Sequence, residues 1–483
     1  MIRSSIAIAG VALLALLAFA NSLRNEFVWD DHYNVVDNQQ IRELSRIGTL
    51  FTQSIAAHAD THLTRTMNTQ YYRPLTMATY ALDHALFGLR PALFHAHNVA
   101  LHVLCSVVVL MLGLELFGRG WREGGTPLAV LLGAAIFAVH PVHSEAVDVI
   151  TYRADLLAGL ALLSGVLFWI RGSRLGGASE GRAVFVWTPL TYAAGQLAKE
   201  MAITLPLLVA LWDTTATVPR SLSARALRLA PLVGLLGGYL LLRRMLLSPS
   251  RLTYFAGHGP TAVALTMVGV FGLYVRLLLV PWPLNPFYDW SVLPVQTSLL
   301  SPVVIQGVLA LGLLIGGLAL SVRRRRHGIT LCLALLPVGL LPVSQVVPII
   351  VAAGERFLYA ASAGPCLLLG QGAGWLMQRR PRCSALVGVA VIGVLVVFFN
   401  LTVIRNTEWR TDRSVLEANV ADFPRSQNAW LGLARLNEQT GRLREALPIY
   451  ERLGLKEAAR RVRIRIIHEH QGAHEDTRHQ LLQ

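Results

Sequence analysis

Lysine is all but missing from this chain: Lys199 and Lys456 are the only two, so nearly all of the 43 basic residues are arginines. Charge of either sign is scarce at 15%, well below the roughly 25% of soluble domains, which excludes an ordinary water-soluble globule. Only Cys105, Cys332, Cys366 and Cys383 are cysteines. They sit in or beside apolar runs without metal-ligand spacing and read as small packing residues, which excludes a cysteine-built metal module. Alternating strands of about 10 residues, the signature of a membrane barrel, are also absent. No basic helix interleaved with aromatics is present, so the net charge of +15 is not read as a nucleic-acid surface.

What is present is apolar. The 483 residues are 54% hydrophobic with mean hydropathy +0.50. Runs of about 17 to 22 apolar residues recur, each long enough to cross a hydrocarbon core of about 30 Å as a helix. Lipid offers no partners to open backbone groups, so the expected fold is an all-α polytopic bundle. Arg3 and the run Ile6 to Ala20 have the opening of a secretory signal, but the polytopic remainder favours an uncleaved first span.

Basic clusters mark the cytoplasmic side. They fall at Arg3; Arg119 and Arg122; Arg171, Arg174 and Arg182; Arg220, Arg225 and Arg228; Arg323 to Arg326; and Arg379, Arg380 and Arg382. Spans between them are expected near 6–23, 94–117, 128–141, 154–170, 183–198, 200–213, 227–247, 300–320, 329–349, 356–378 and 383–403, about eleven crossings. The N-terminus is then inside and the C-terminus outside. Residues 261–280 are apolar enough to span but would put Arg323 to Arg326 outside, so they read as interfacial or re-entrant; alternatively, the short pair around Lys199 is one bent span. The membrane domain is 1–404, with external loops 24–93 and 248–299, and a polar helical tail is 405–483. In the tail, Trp430, Leu433, Ala434, Ala446 and Tyr450, with Gly441 at the turn, have the spacing of a tetratricopeptide repeat. A tail this short is a minimal cap or leans on the membrane domain.

The external connections collect the unusual residues. Asp30 and Asp31 are adjacent carboxylates whose repulsion and low-dielectric setting raise one pKa, suiting a general base. Asp31 is the preferred of the two. Arg73, Arg153, Lys199 and Arg356 lie where apolar segments meet the same face, and such cations suit a phosphate. Glu145, Glu200 and Glu355 are expected to support them. His140 and His143 are read as hydrogen-bonding to substrate or loop backbone rather than to a metal.

These strings come in a recognisable order: Phe27-Val28-Trp29-Asp30-Asp31, Tyr72-Arg73-Pro74-Leu75, Leu86-Phe87-Gly88, Phe94-His95-Ala96-His97-Asn98 and His140-Pro141-Val142-His143-Ser144-Glu145-Ala146-Val147. Downstream follow Tyr152-Arg153-Ala154-Asp155-Leu156-Leu157, Ala198-Lys199-Glu200, Asp289-Trp290-Ser291 and Glu355-Arg356-Phe357-Leu358-Tyr359. In this the chain resembles the transmembrane and tetratricopeptide-repeat-containing O-mannosyltransferases of the GT-C superfamily. The resemblance implies a multispanning glycosyltransferase that inverts stereochemistry and needs no metal or cofactor. It implies a polyprenyl-phosphate sugar, mannose, as donor and a Ser or Thr hydroxyl of a protein as acceptor. By the same resemblance an acidic residue of the first external loop, Asp30 or Asp31, acts at the acceptor, and basic residues near the membrane face hold the donor phosphate. The short tail departs from the family's long arrays, and an Arg-rich, short-tailed chain of this kind looks like a bacterial inner-membrane protein with its site towards the periplasm. The rival classes are a transporter, set aside because no repeat relates the two halves and the charges gather on one face, and a noncatalytic scaffold carrying the repeat.

Overall fold

The computed structural model describes residues 4–53, 71–118, 126–215, 220–247 and 253–481. Arg3, Arg119 and Arg122 of the expected basic clusters lie outside the described residues, as do 54–70 of the first loop and 248–252 of the second. Among the described residues every regular element is helical. Seven helices are long and apolar enough to cross a bilayer: Ser4–Arg24, Pro91–Phe117, Ile150–Leu175, Leu222–Leu246, Pro260–Leu279, Pro302–Arg323 and Pro381–Glu408. An eighth crossing is the bent pair Leu128–Ala138 and Pro141–Asp148, which turns by 46°. At that break Pro141 has no N–H to give, and the His140 side chain accepts the Val142 N–H at 3.3 Å, capping the new turn.

The expected eleven crossings are therefore not eleven full-length helices. The segments read at 183–198, 200–213, 329–349 and 356–378 contain the shorter helices Thr188–Ala198, Leu205–Thr215, His327–Leu340 and Ala363–Arg379. The pair around Lys199 is two passes and not one bent span. Lys199 bonds Asp155 while Ala183, sixteen residues earlier, packs on Gly172, so this segment runs antiparallel to the helix Arg153–Leu175. Leu205–Thr215 then returns, because Asp213 at its far end binds Arg228.

Pro260–Leu279 is a continuous helix of 20 residues, yet both halves of it touch the face that carries Asp30. Thr266 accepts the Gln296 N–H at 2.8 Å, the Tyr274 hydroxyl meets Gly354, and His140 Nε2 bonds the Leu278 carbonyl.

Between helices in lipid, close approach of backbones replaces the hydrophobic drive. Gly370 sets the helix Ala363–Arg379 against Leu128–Ala138, and a Cβ there would meet the Ala129 carbonyl and the backbone of Gly133. Backbone cannot step aside as a side chain can. Gly370→Leu is expected to cost at least about 1–3 kcal/mol, the usual penalty of overpacking, read as a lower unfolding temperature in detergent.

The tail is four helices, Asp412–Asp422, Gln427–Gln439, Leu443–Arg452 and Lys456–Leu481. Gly441, at φ +75°, makes the left-handed turn between the second and third, at the position expected of it. The tail leans on the membrane domain: Trp409, Val415 and Leu416 share one apolar cluster with Val28, Val149, Tyr152 and Phe287.

Candidate active site

Residues 27–31 form a tight turn with Trp29 at φ +56°, costly for a bulky residue and held by what surrounds it. The Trp29 ring packs on Phe287, their centroids 4.4 Å apart. Trp29 N–H donates to Asp412 Oδ1 at 2.8 Å, and His32 Nε2 pairs with Asp412 Oδ2 at 2.8 Å. A carboxylate at the start of the tail thus brackets both aspartates from outside.

The turn sends its two aspartates in opposite directions. Asp31 is fully buried, and its oxygens take four protein donors: Thr151 N–H and Oγ1–H on Oδ1, both 2.7 Å, with Val28 N–H at 3.2 Å and Ile150 N–H at 3.3 Å on Oδ2. It ties the first loop to the start of the helix Arg153–Leu175. Asp30 is half-buried and accepts one bond, from the Tyr152 hydroxyl at 3.1 Å. Both carboxyls are pushed up, but burial does it rather than mutual repulsion. For Asp31 the four hydrogen bonds only partly offset burial, leaving it at about 6. For Asp30, burial outweighs the Arg356 charge and the Tyr152 hydrogen bond, while Glu145 adds to the rise.

Arg356 stands over the Tyr152 ring at 4.2 Å. Glu145, buried beneath it, accepts its backbone N–H at 2.7 Å and its Nη1. Lys199 donates to both oxygens of Asp155 at 2.6 Å and lies 5.5 Å from the Phe357 ring centre. Arg73 forks onto Glu200 at 2.8 and 3.3 Å and stacks on Tyr71. Arg243 is 3.7 Å from Glu200. Asp30 feels both Arg356 and Arg73, and Lys199 feels Arg73 and Arg356, so the three cations and one carboxylate form a single electrostatic neighbourhood. The acids aim the cations without exhausting them: among the described residues, Nε and Nη2 of Arg356 and Nη1 of Arg73 have no hydrogen-bond acceptor. A small cavity beside these cations is bordered by Asp155, Met201, Arg356 and Phe357, with Gly159 and Ala360 also in its lining.

Arg153, His143 and Glu355 stand outside this neighbourhood, while the His140 ring bonds backbone, the Val142 N–H of its own loop included. Arg153 does not join this neighbourhood as a phosphate ligand, because it is enclosed and its guanidinium serves Asn98 at 2.8 Å, Phe94 O at 3.0 Å, Thr79 at 3.2 Å and Asp83 at 2.5 Å. His140 and His143 are fully buried and bond inward, His140 to Leu278 O and His143 to Ser362 Oγ at 2.9 Å. Among the described residues no group of three or more His, Cys, Asp or Glu is placed to hold a metal. Glu355 supports the fold beside the site: it accepts Asn285 N–H and the Tyr288 hydroxyl, and burial lifts it to about 7 against the pull of Arg405, 3.9 Å away.

Sequence reasoning passed over Tyr152, Asp155, Arg243 and Asp412. The first two flank Arg153 in a string already singled out, where the arginine drew attention by its charge. Arg243 and Asp412 lie in segments with no local signal.

Asp412→Ala is expected to loosen the turn at residues 29–32. The His32 pKa is raised by its bond to Asp412, so this pairing is fully present below the ordinary histidine value of 6.5 and is lost as pH rises through the elevated one. The difference in melting temperature between wild type and Asp412→Ala should therefore shrink from pH 6 to pH 9; a pH-independent difference would show that His32 contributes nothing.

No protein-family model matches the chain. Similarity to curated proteins is extensive. The chain is 29% identical to protein O-mannosyl-transferase TMTC4 of Homo sapiens, over 90% of this chain and 64% of that protein. To TMTC1 of Homo sapiens it is 28% identical, over 91% and 54%, and to TMTC3 of Mus musculus 25%, over 89% and 49%. It thus spans 49% to 64% of the length of these three relatives. The resemblance carried by the ordered motifs extends across nine-tenths of the chain. Among solved structures, ArnT from Cupriavidus metallidurans in the apo state aligns with TM-score 0.45 and 14% identity, over 86% of this chain and 79% of that one.

Proposed function

We propose that this integral membrane protein is an inverting glycosyltransferase that moves mannose from a polyprenyl phosphate to a Ser or Thr hydroxyl of a protein, without a metal or other cofactor. The observation that carries the proposal is one half-buried carboxylate, Asp30, held by the hydroxyl of Tyr152, over whose ring Arg356 stands at 4.2 Å. Relatives named protein O-mannosyl-transferases support the same reading.

In the proposed step, Asp30 takes the proton of the acceptor hydroxyl as its oxygen forms a bond to the anomeric carbon. The bond from that carbon to the phosphate oxygen breaks on the opposite side, and its electron pair leaves with the phosphate. Arg356, Lys199 and Arg73 stabilise the charge gathering there through the N–H groups that Glu145, Asp155 and Glu200 leave unspent. Asp31 holds the loop and does not react. The opposite face bears Arg323 to Arg326 and Arg379 to Arg382, so the positive-inside rule puts the site and tail outside, in a bacterium the periplasm.

The test is transfer from radiolabelled polyprenyl-phosphate mannose to Ser/Thr peptides by purified protein in nanodiscs. Mannosyl peptide of inverted anomeric configuration is the expected product. Absence of both donor consumption and peptide product across varied sugars and carriers would refute transfer.

A further inference from the structure

The opposite end of the bundle holds a second polar feature that the transferase chemistry leaves unused. A pocket of about 680 Å³ opens where the ends of Pro91–Phe117, Arg153–Leu175, Leu205–Thr215 and Ala363–Arg379 meet the turn at Arg324–Arg326. Its lining includes Arg174, Arg220, Arg325, Arg326, His327 and Gln371, and among the described residues no carboxylate. The acids nearby stand behind it: Glu115 engages Arg174, with Nη1 to Oε2 at 3.1 Å, and Glu180 takes Nη2 of Arg220 at 2.7 Å.

A positive-inside bias explains arginines in solvent on this face, but not the interior of the pocket. There Nη1 of Arg220, Nε2 of His327 and Nε2 of Gln371 are all buried without a hydrogen-bond partner among the described residues. Unsatisfied buried donors are costly, and the N–H groups of Arg220 and Gln371, both lining residues of this pocket, ask for an acceptor, with His327 joining them in the tautomer that puts its proton on Nε2. Its other wall is aromatic and aliphatic. Trp212 carries Arg174 over its ring at 5.7 Å, and Trp375, 59% exposed, stands at the rim with Leu116 and Leu368 further in.

We propose that this pocket binds a phosphate-bearing anion, its oxygens on Arg220, His327, Gln371 and the arginine turn. A basic pocket between membrane helices beside an apolar wall suits a phosphorylated lipid headgroup, and the same donors suit a soluble phosphate. The site lies on the face opposite Asp30, so it stands or falls independently of the proposed transfer reaction.

The experiment uses purified full-length protein in neutral detergent with three probes: dihexanoyl phosphatidic acid, dihexanoyl phosphatidylcholine and inorganic pyrophosphate. The variants are Arg325→Ala/Arg326→Ala, whose side chains are exposed, and Gln371→Leu, each first checked for wild-type melting temperature without ligand. Phosphatidic acid is expected to bind wild type and raise its melting temperature, more weakly by about tenfold in each variant and more weakly at higher salt. Pyrophosphate binding with the same sensitivity identifies a soluble phosphate as sufficient; binding of phosphatidic acid alone identifies a lipid headgroup. Equal binding of phosphatidylcholine and phosphatidic acid, wild-type affinity in both variants, or no binding of either phosphate probe overturns the proposal.

Discussion

Asp30→Asn should lower kcat for the proposed mannosyl transfer by about 10² to 10⁴, the range lost when a general base is removed, and leave the fold intact. Asparagine keeps an oxygen for the Tyr152 hydroxyl but cannot take the acceptor's proton. Asp31→Asn should do the reverse. Its amide N–H would face backbone donors that now bond Oδ2, those of Val28 and Ile150, a mismatch of about 1–3 kcal/mol in stability. Equal kcat losses in the two variants at equal stability would undo this division of labour.

The pH dependence carries the same distinction. A base must be ionised to act, and burial has raised Asp30, so kcat/KM should climb with pH through a midpoint above the ordinary carboxylate value of 3.8. Asp30→Asn should abolish that limb. Asp31 acts on stability with the opposite sense. Its folded pKa, about 6, lies above the unfolded value of 3.8, so its contribution is complete below the unfolded value and is lost as pH rises through about 6. Chemical-denaturation midpoints at pH 4.5 and 7, for wild type and Asp31→Asn, measure that loss.

Arg356→Gln should reduce kcat by about 10² to 10³, as expected when a donor aimed at developing negative charge is removed. It also strands Glu145, which is 1% exposed, and breaking one side of a buried ion pair costs about 3–5 kcal/mol. The two effects separate in the double variant Glu145→Gln/Arg356→Gln. Removing the stranded charge should restore most of the lost melting temperature while kcat stays low. Recovery of kcat together with stability would make Arg356 a structural residue only.

The residues of the site were legible in the sequence to different depths. Arg73, Lys199 and Arg356 were marked by charge at the ends of apolar runs, and the structure groups them on the face that bears Asp30. Arg153 carried the same mark and serves elsewhere, because Asp83, Asn98 and Thr79 come from two other helices whose approach no local pattern reports. His140 and His143 were read as hydrogen-bonding to substrate or loop backbone, and their partners Leu278 and Ser362 lie more than 130 residues away, which no local spacing reports. The role of Asp412 rests on a contact spanning 383 positions.

The sequence by itself determined a helical membrane bundle with a polar helical tail, since long apolar runs in lipid leave the backbone no other way to satisfy itself. It also determined which face collects the acids and cations, since apolar runs and arginine clusters set the sides. Which of two adjacent aspartates faces the cations was decided only by tertiary structure. A turn at Trp29, held by Phe287 and Asp412, points neighbouring side chains apart, and partners distant in the chain then bury one carboxylate among four donors and leave the other beside Arg356.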